Sequence, residues 1–317
     1  MIARLLPVVA DLGATALFKK SQKSHAFRLA SSLNMMLPRA KGWVPRILGR
    51  TLYRHTCGTL RTKSGAVLAV VPRSLDSYVS RLNAKGCNVT RCCRAMLSAG
   101  DVFFDVRANV GAISLEIAQE FKDELTICAF EPQADLAAHI AISCQLSGLK
   151  GVSVYRVLVG EFDGEADFFS GDVSSLASRL SPEKPVGERC PITCLDSQTS
   201  NGCLPIPNVL KIDVEGFEMQ VFQGMQGLIR THRPALVFEA GCGQAAEGSP
   251  KDILCYLRSL ANYIFFGLND DPLIEHWMHR IDFESDLFPG NYLALSMTDS
   301  ERLERARPFI AASSDEV

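Results

Sequence analysis

The 317-residue chain has no Cys-x-x-Cys pair, no run of 18 uninterrupted apolar residues and no G-x-G-x-x-G turn. The first absence removes the common zinc and disulfide-exchange patterns. The second removes a transmembrane helix. The third removes the usual cradle for a dinucleotide pyrophosphate. Aromatic residues make up 8% of the chain, with two Trp, and the formal net charge is only −2, so the chain as a whole is no polyanion binder.

A 47% hydrophobic content is enough to bury a large core. The eleven cysteines are scattered, and several, such as Cys128 and Cys255, sit in apolar runs as small hydrophobes. That usage fits a reducing cytoplasm better than a secreted disulfide framework. Cys190, Cys194 and Cys203 have the wrong spacing for a common zinc site. The even charge balance hides an asymmetry. Ten of the 33 bases but only one of the 35 acids, Asp11, lie in residues 1–54, leaving +9 there and −11 in the rest. Residues 1–57 read as a basic, mainly helical extension. It could pack on the following domain, resemble a transit peptide, or touch an anionic membrane surface weakly.

Residues 58–98 read as a hairpin around Lys63-Ser64-Gly65 and a helical lead-in. From 99 to 300 the pattern alternates. Short apolar strands are expected at 102–106, 126–131, 152–159, 208–214, 235–240, 263–268 and 292–297, with helices near 111–121, 133–147, 215–230 and 252–261. EFDGEADFF, framed by glycines, suggests a hairpin. Residues 301–317 read as a tail. Alternation of this kind predicts an α/β, Rossmann-like fold, a mostly parallel sheet with helices on both faces. Ligands of such sheets bind beyond the carboxyl ends of the strands.

Acids stand at four of those ends: Asp105, Glu131, Asp213 with Glu215, and Glu239. The turn Asp105-Val106-Arg107-Ala108-Asn109-Val110-Gly111 leads into a helix, whose free N–H groups suit a polar ligand. Glu131 lies 20 residues beyond Gly111. A carboxylate there is placed to accept from both ribose hydroxyls of an adenosine. An acidic cleft repels a pyrophosphate but suits a sulfonium, which favours S-adenosylmethionine over a nicotinamide dinucleotide.

DVFFDVRANVG, AFEP, CLDS (194–197), LKIDVEGFEMQVFQG and RPALVFE together resemble the FkbM family of S-adenosylmethionine-dependent methyltransferases, over about residues 75–297. The resemblance implies a seven-stranded methyltransferase fold and O-methylation of a hydroxyl on a sugar, glycan or secondary metabolite. No nucleic-acid partner is expected. Asp105, Arg107, Asn109, Gly111, Glu131 and Pro132 are the candidate cofactor residues. Asp213 and Glu215 are the candidate catalytic pair, and Lys211, Glu239 and His276 the candidate substrate contacts. Glu161 and Asp163 are placed to flank the adenine, and Ser174-Ser175-Leu176 and His279 to lie near a lid. No resident metal is expected, although three rim acids could hold Mg2+.

The chain departs from the family pattern D-x-G-A-N-x-G at Arg107. A non-glycine residue held at positive φ costs about 1–2 kcal/mol. Arg107 either fills the space of the cofactor's methionine end or turns outward to meet the carboxylate of the cofactor or substrate. The first outcome leads to a second reading, a catalytically inactive binding module.

Overall fold

The computed structural model describes residues 5–10, 58–62, 64–70, 88–168, 188–242, 248–269, 271, 274–284 and 287–311. Most of the basic extension and Ser174–Leu176 lie outside the described residues. Strands β1 (Gly58–Arg61) and β2 (Val67–Val70) pair antiparallel, as the Ser64-Gly65 turn requires. Helix α1 (Asn88–Met96) follows.

Alternation then begins. It runs through β3 (Val102–Val106), α2 (Ala112–Phe121), β4 (Thr126–Phe130), α3 (Ala134–Ser147), β5 (Val152–Tyr155), β6 (Leu158–Val159), β7 (Gly164–Phe168), β8 (Glu188–Thr193) and α4 (Leu195–Ser200). It continues with β9 (Val209–Ile212), α5 (Glu218–Gln223), α6 (Gln226–His232), β10 (Ala235–Ala240), α7 (Pro250–Leu260), β11 (Tyr263–Leu268), β12 (Met278–Arg280), β13 (Gly290–Ser296) and α8 (Ser300–Ala306).

The main sheet has the order β12-β11-β13-β10-β9-β3-β4-β5. The five strands from β10 to β5 are parallel, and β13 inserts antiparallel beside β10. Seven of these strands are the expected ones, and the short β12 adds an eighth at the edge. Strands covered on both faces read as continuous apolar runs. On one face Phe103, Val209 and Leu293 pack with α1, α2 and α8, through Cys92, Ile117 and Ala306. On the other, Phe104, Leu210 and Phe238 pack with α5, α6 and α7, through Phe222, Ile229 and Leu254. The β1–β2 pair caps α3. The Val67 and Ala69 N–H groups donate to Ser147 and Ser143, one helical turn apart.

Local pattern and tertiary pairing part company in three places. The stretch expected as one strand, 152–159, splits, because β6 leaves the main sheet to pair with β8. EFDGEADFF makes no hairpin of its own, since β7 also pairs with β8, a partner 20 or more residues away. The helix expected over 215–230 breaks at Gly224. A Cβ there would lie 1.9 Å from the Gly160 carbonyl oxygen, so the chain turns where another backbone passes against it. Residues 5–10 run without helical turns, and the Val8 N–H donates to the Val154 carbonyl at 2.7 Å, beside β5.

Candidate functional site

The carboxyl ends of β3, β4 and β9 carry the expected acids, but the structure gives them different tasks. Asp105 lies within β3, fully buried. Its Oδ2 accepts from the Ser114 hydroxyl at 2.6 Å, and its Oδ1 lies 3.3 Å from Lys211 Nζ. Asp105 and Lys211 are register neighbours on β3 and β9, so strand pairing sets this contact. Lys211, 2% exposed, also donates to the carbonyls of Val106 and Arg107, at 3.3 and 3.0 Å. Both residues therefore face inward. Neither lines the cavity beyond the strand ends, and they anchor the Val106–Arg107 segment that does. Breaking a buried pair from one side leaves the other charge stranded. Lys211→Met is expected to cost about 3–5 kcal/mol in urea unfolding. The Asp105→Asn/Lys211→Met double variant should recover part of the loss, and additive losses would refute the pairing.

The loop itself is unusual. Arg107, Asn109 and Gly111 all have positive φ, at 59°, 55° and 74°. Gly111 is required twice over, because a Cβ would also meet Ile140 at 2.9 Å. Glu131, fully buried, ties this loop to the end of β4. One oxygen accepts the Asn109 N–H at 2.8 Å and the other the Gln133 N–H at 3.0 Å. Burial pushes its carboxyl up to about 7, against the opposing pull of those hydrogen bonds and of Arg107 and Lys211.

Arg107 does not plug the site. Its guanidinium turns to Glu215, with Nη1 3.3 Å from Oε1. Beside it opens a cavity of about 320 Å3, lined by Val106, Arg107, Pro132, Val157, Glu161, Phe162, Val214 and Phe217. These residues lie at or just beyond the ends of β3, β4, β5, β6 and β9, where the strand-end rule puts a ligand. Mostly apolar walls with a few polar groups are what small-molecule sites have. Glu161 lines this cavity. Asp163 is not part of that lining; its Oδ1 accepts from the Thr193 hydroxyl and the Cys194 N–H.

Asp213, Glu215 and Glu239 come together. One carboxylate oxygen from each lies within 4.8 Å of the others, the one such potential metal-ligand cluster among the described residues. Asp213 is 3.6 Å from Lys211 Nζ. Burial, then the charges of Asp213 and Glu215, push Glu239 up to about 7. The turn that presents Asp213 and Glu215 is held by Glu218, whose carboxylate accepts the N–H groups of Val214 and Gly216 at 3.1–3.2 Å. Sequence reasoning passed over Glu218 as a site residue. Its signal was an acid at the first position of a helix, right after a glycine turn.

His276 does not join this group. The connection after β11 folds back as β12, pairing Leu268 with Met278, and so runs along the outer edge of the sheet. There the exposed His276 ring meets the Pro308 carbonyl, with Nδ1 3.2 Å away. The exposed His279 stacks its ring over Gly267 on the same edge. The thiols of Cys190 and Cys194 turn to separate carbonyls, those of Pro132 and Gly224, and form no metal cluster among the described residues.

Comparison with known proteins adds the family. The model of the methyltransferase FkbM domain matches residues 105–265, just over half of the chain. No curated protein sequence matches. Among solved structures, an FkbM methyltransferase from Methylobacillus flagellatus KT is 15% identical, with a TM-score of 0.43. That alignment covers 63% of this chain but only 44% of the other. A SAM-dependent methyltransferase from Agrobacterium tumefaciens is 8% identical over 76% of this chain and 70% of its own, at a TM-score of 0.40. A putative rRNA-methylase from Clostridium thermocellum is 11% identical over 65% and 91%, at a TM-score of 0.38. No helix among the described residues is long and apolar enough to cross a membrane. From the strand-end acids of the matched region to the loop they hold, the chain belongs to the FkbM methyltransferase family, whose cofactor is S-adenosylmethionine.

Proposed function

We propose that the protein transfers the methyl group of S-adenosylmethionine to a hydroxyl oxygen of a small molecule or glycan, in a reducing cytoplasm where its cysteines stay thiols. The observation that carries this reading is the Asp213–Glu215–Glu239 cluster at the ends of adjacent strands, next to the cavity that Arg107 and Val214 line. The residues fit the cofactor. Gly111, packed against Ile140 at positive φ, lets the loop turn tightly from β3 into α2. Glu131, buried beneath the cavity wall, ties Asn109 to Gln133 and is assigned to the ribose, with Pro132 and Phe162 of the cavity lining for the base to pack on. A cluster of carboxylates suits a sulfonium cation.

When bound, the cofactor supplies an electrophilic methyl group. The chain's own residues orient the acceptor and take its proton. Displacement forms the O–CH3 bond as the S–CH3 bond breaks, so the acceptor oxygen must lie in line behind the methyl, and positioning supplies much of the rate. The hydroxyl proton goes to a rim carboxylate. Of the three, Glu239 is best matched to this task, because a base with a pKa near the working pH is the most effective. Asp213 borders the acceptor and holds its hydroxyl.

Calorimetry with S-adenosylhomocysteine tests the cofactor half, with micromolar binding expected of the intact chain. Incubation with methyl-labelled S-adenosylmethionine and a panel of hydroxylated sugars and metabolites tests the transfer half. Label appearing only on nitrogen or carbon would overturn the O-methyl assignment. A second reading, a binding module without turnover, is favoured by Arg107 at positive φ where the family pattern has glycine. It expects the same binding with no labelled product on any acceptor.

A further inference from the structure

Arg107 and Glu215 lie just beyond the ends of adjacent parallel strands, Arg107 one residue past β3 and Glu215 three residues past β9, in a register that pairs Val106 with Ile212. Each is a non-glycine residue in the left-handed region, at φ 59° and 58°. Such residues cost energy and concentrate at ligand sites. Their side chains meet at 3.3 Å and are only 11% and 17% exposed. Arg107 at the same time walls the cavity.

The backbones on both sides are pinned independently of this contact. The Arg107 carbonyl accepts from Lys211 Nζ, and the N–H groups of Val214 and Gly216 are held by Glu218. The two side chains can therefore part without either loop opening. Parting them is costly only if the charges are left unpaired in a site shielded from water.

We propose that Arg107 and Glu215 form an exchangeable clasp for the amino-acid end of the cofactor, Arg107 taking its α-carboxylate and Glu215 its α-ammonium. The clasp rests on the cofactor reading above and deepens it. A zwitterion inserted between the members of an ion pair leaves every charge compensated, and replaces one contact with two charge-assisted ones. A neutral ligand of the same adenosine shape offers neither member a counter-charge in exchange for the other. The glycine of the family pattern has no side chain to do this. In this chain Arg107 is a positioning residue rather than a defect.

The test compares S-adenosylhomocysteine with 5′-methylthioadenosine, which keeps the adenosine and thioether but lacks both charged groups. Calorimetry is run on the full chain, wild type and as Arg107→Gln, Arg107→Lys and Glu215→Gln. The wild type is expected to prefer S-adenosylhomocysteine by about 100-fold or more. Arg107→Gln and Glu215→Gln should each weaken S-adenosylhomocysteine by roughly 10- to 30-fold while moving methylthioadenosine less than about threefold. Arg107→Lys should recover part of the loss, because the charge remains but the planar fork does not. Equal weakening of both ligands, or an unchanged ratio, overturns the clasp while leaving the cofactor reading in place. Binding of neither ligand by the wild type overturns both.

Discussion

Glu131→Ala should abolish measurable binding of S-adenosylhomocysteine, a loss of at least about 100-fold, or roughly 2.7 kcal/mol. Two effects add. The variant loses the carboxylate proposed to accept from the ribose hydroxyls. It also strands the N–H groups of Asn109 and Gln133, which now donate to the two oxygens. A buried donor left unsatisfied costs about 1–3 kcal/mol. Glu131→Gln keeps one acceptor oxygen and should fall between. Full-strength binding by the alanine variant, in a chain that still folds, would refute the role.

The same residue predicts two opposite trends with pH. Its carboxyl is pushed up to about 7 in the folded chain, chiefly by burial, above the ordinary value of 4.5. Ribose hydroxyls donate to the charged form. Cofactor affinity should therefore fall as pH drops below about 7, because the proton and the ribose compete. Stability moves the other way. Glu218 and Glu239 are also pushed up to about 7 by burial. Between about 4.5 and 7 the folded state binds more protons than the unfolded state, so these groups add stability as pH falls through that window. Urea midpoints and binding isotherms at pH 5.5, 6.5 and 7.5 would show both slopes. Parallel slopes would be inconsistent with a buried, raised carboxyl at the cofactor.

Glu239→Gln should reduce methyl transfer by about 100- to 10,000-fold, the range for loss of a positioned acid or base. The rest of its signature separates chemistry from binding. Glu239 belongs to the acidic cluster, whereas Glu131 ties the cofactor loop, so affinity for S-adenosylhomocysteine should stay within a few-fold of wild type. In the wild type held at saturating S-adenosylmethionine, kcat/KM for the acceptor should rise about tenfold per pH unit up to about 7 and then level off, as a base with that pKa requires. The variant should lose this limb. A wild-type profile flat from pH 5.5 to 8 would remove Glu239 from proton transfer. An unchanged rate in the variant would return the task to Asp213, Glu215 or solvent.

Much of the architecture was legible because strand and helix periodicity is a local property. VFFDV, TICAF and ALVFEA stay strands for the same reason they look like strands, a short apolar run buried on both faces. The residues that end them were legible too, since a carboxylate cannot continue into a dry core without a partner. Asp105 is the instructive exception. The sequence made it a ligand contact, but β3 and β9 set it opposite Lys211, and burial then turned both inward.

His276 failed for a related reason. A long connection between two strands has no local mark of which side it will take, and the pairing of β12 with β11 carried it to the outer edge. Gly224 and β8 belong with it. Each owes its place to a segment far along the chain, Gly160 in one case and the β6 and β7 strands in the other.

By itself, then, the sequence determined the alternating elements, the acids that close the parallel strands and the family they mark. All of these follow from periodicity and from the cost of burying charge. Tertiary structure alone decided which acids gather in one cluster, that Arg107 reaches across to Glu215 instead of filling the cavity, and that Glu218 holds the turn beneath the rim. Those outcomes depend on which distant backbone lies within a few ångströms, and no spacing along one chain encodes that distance.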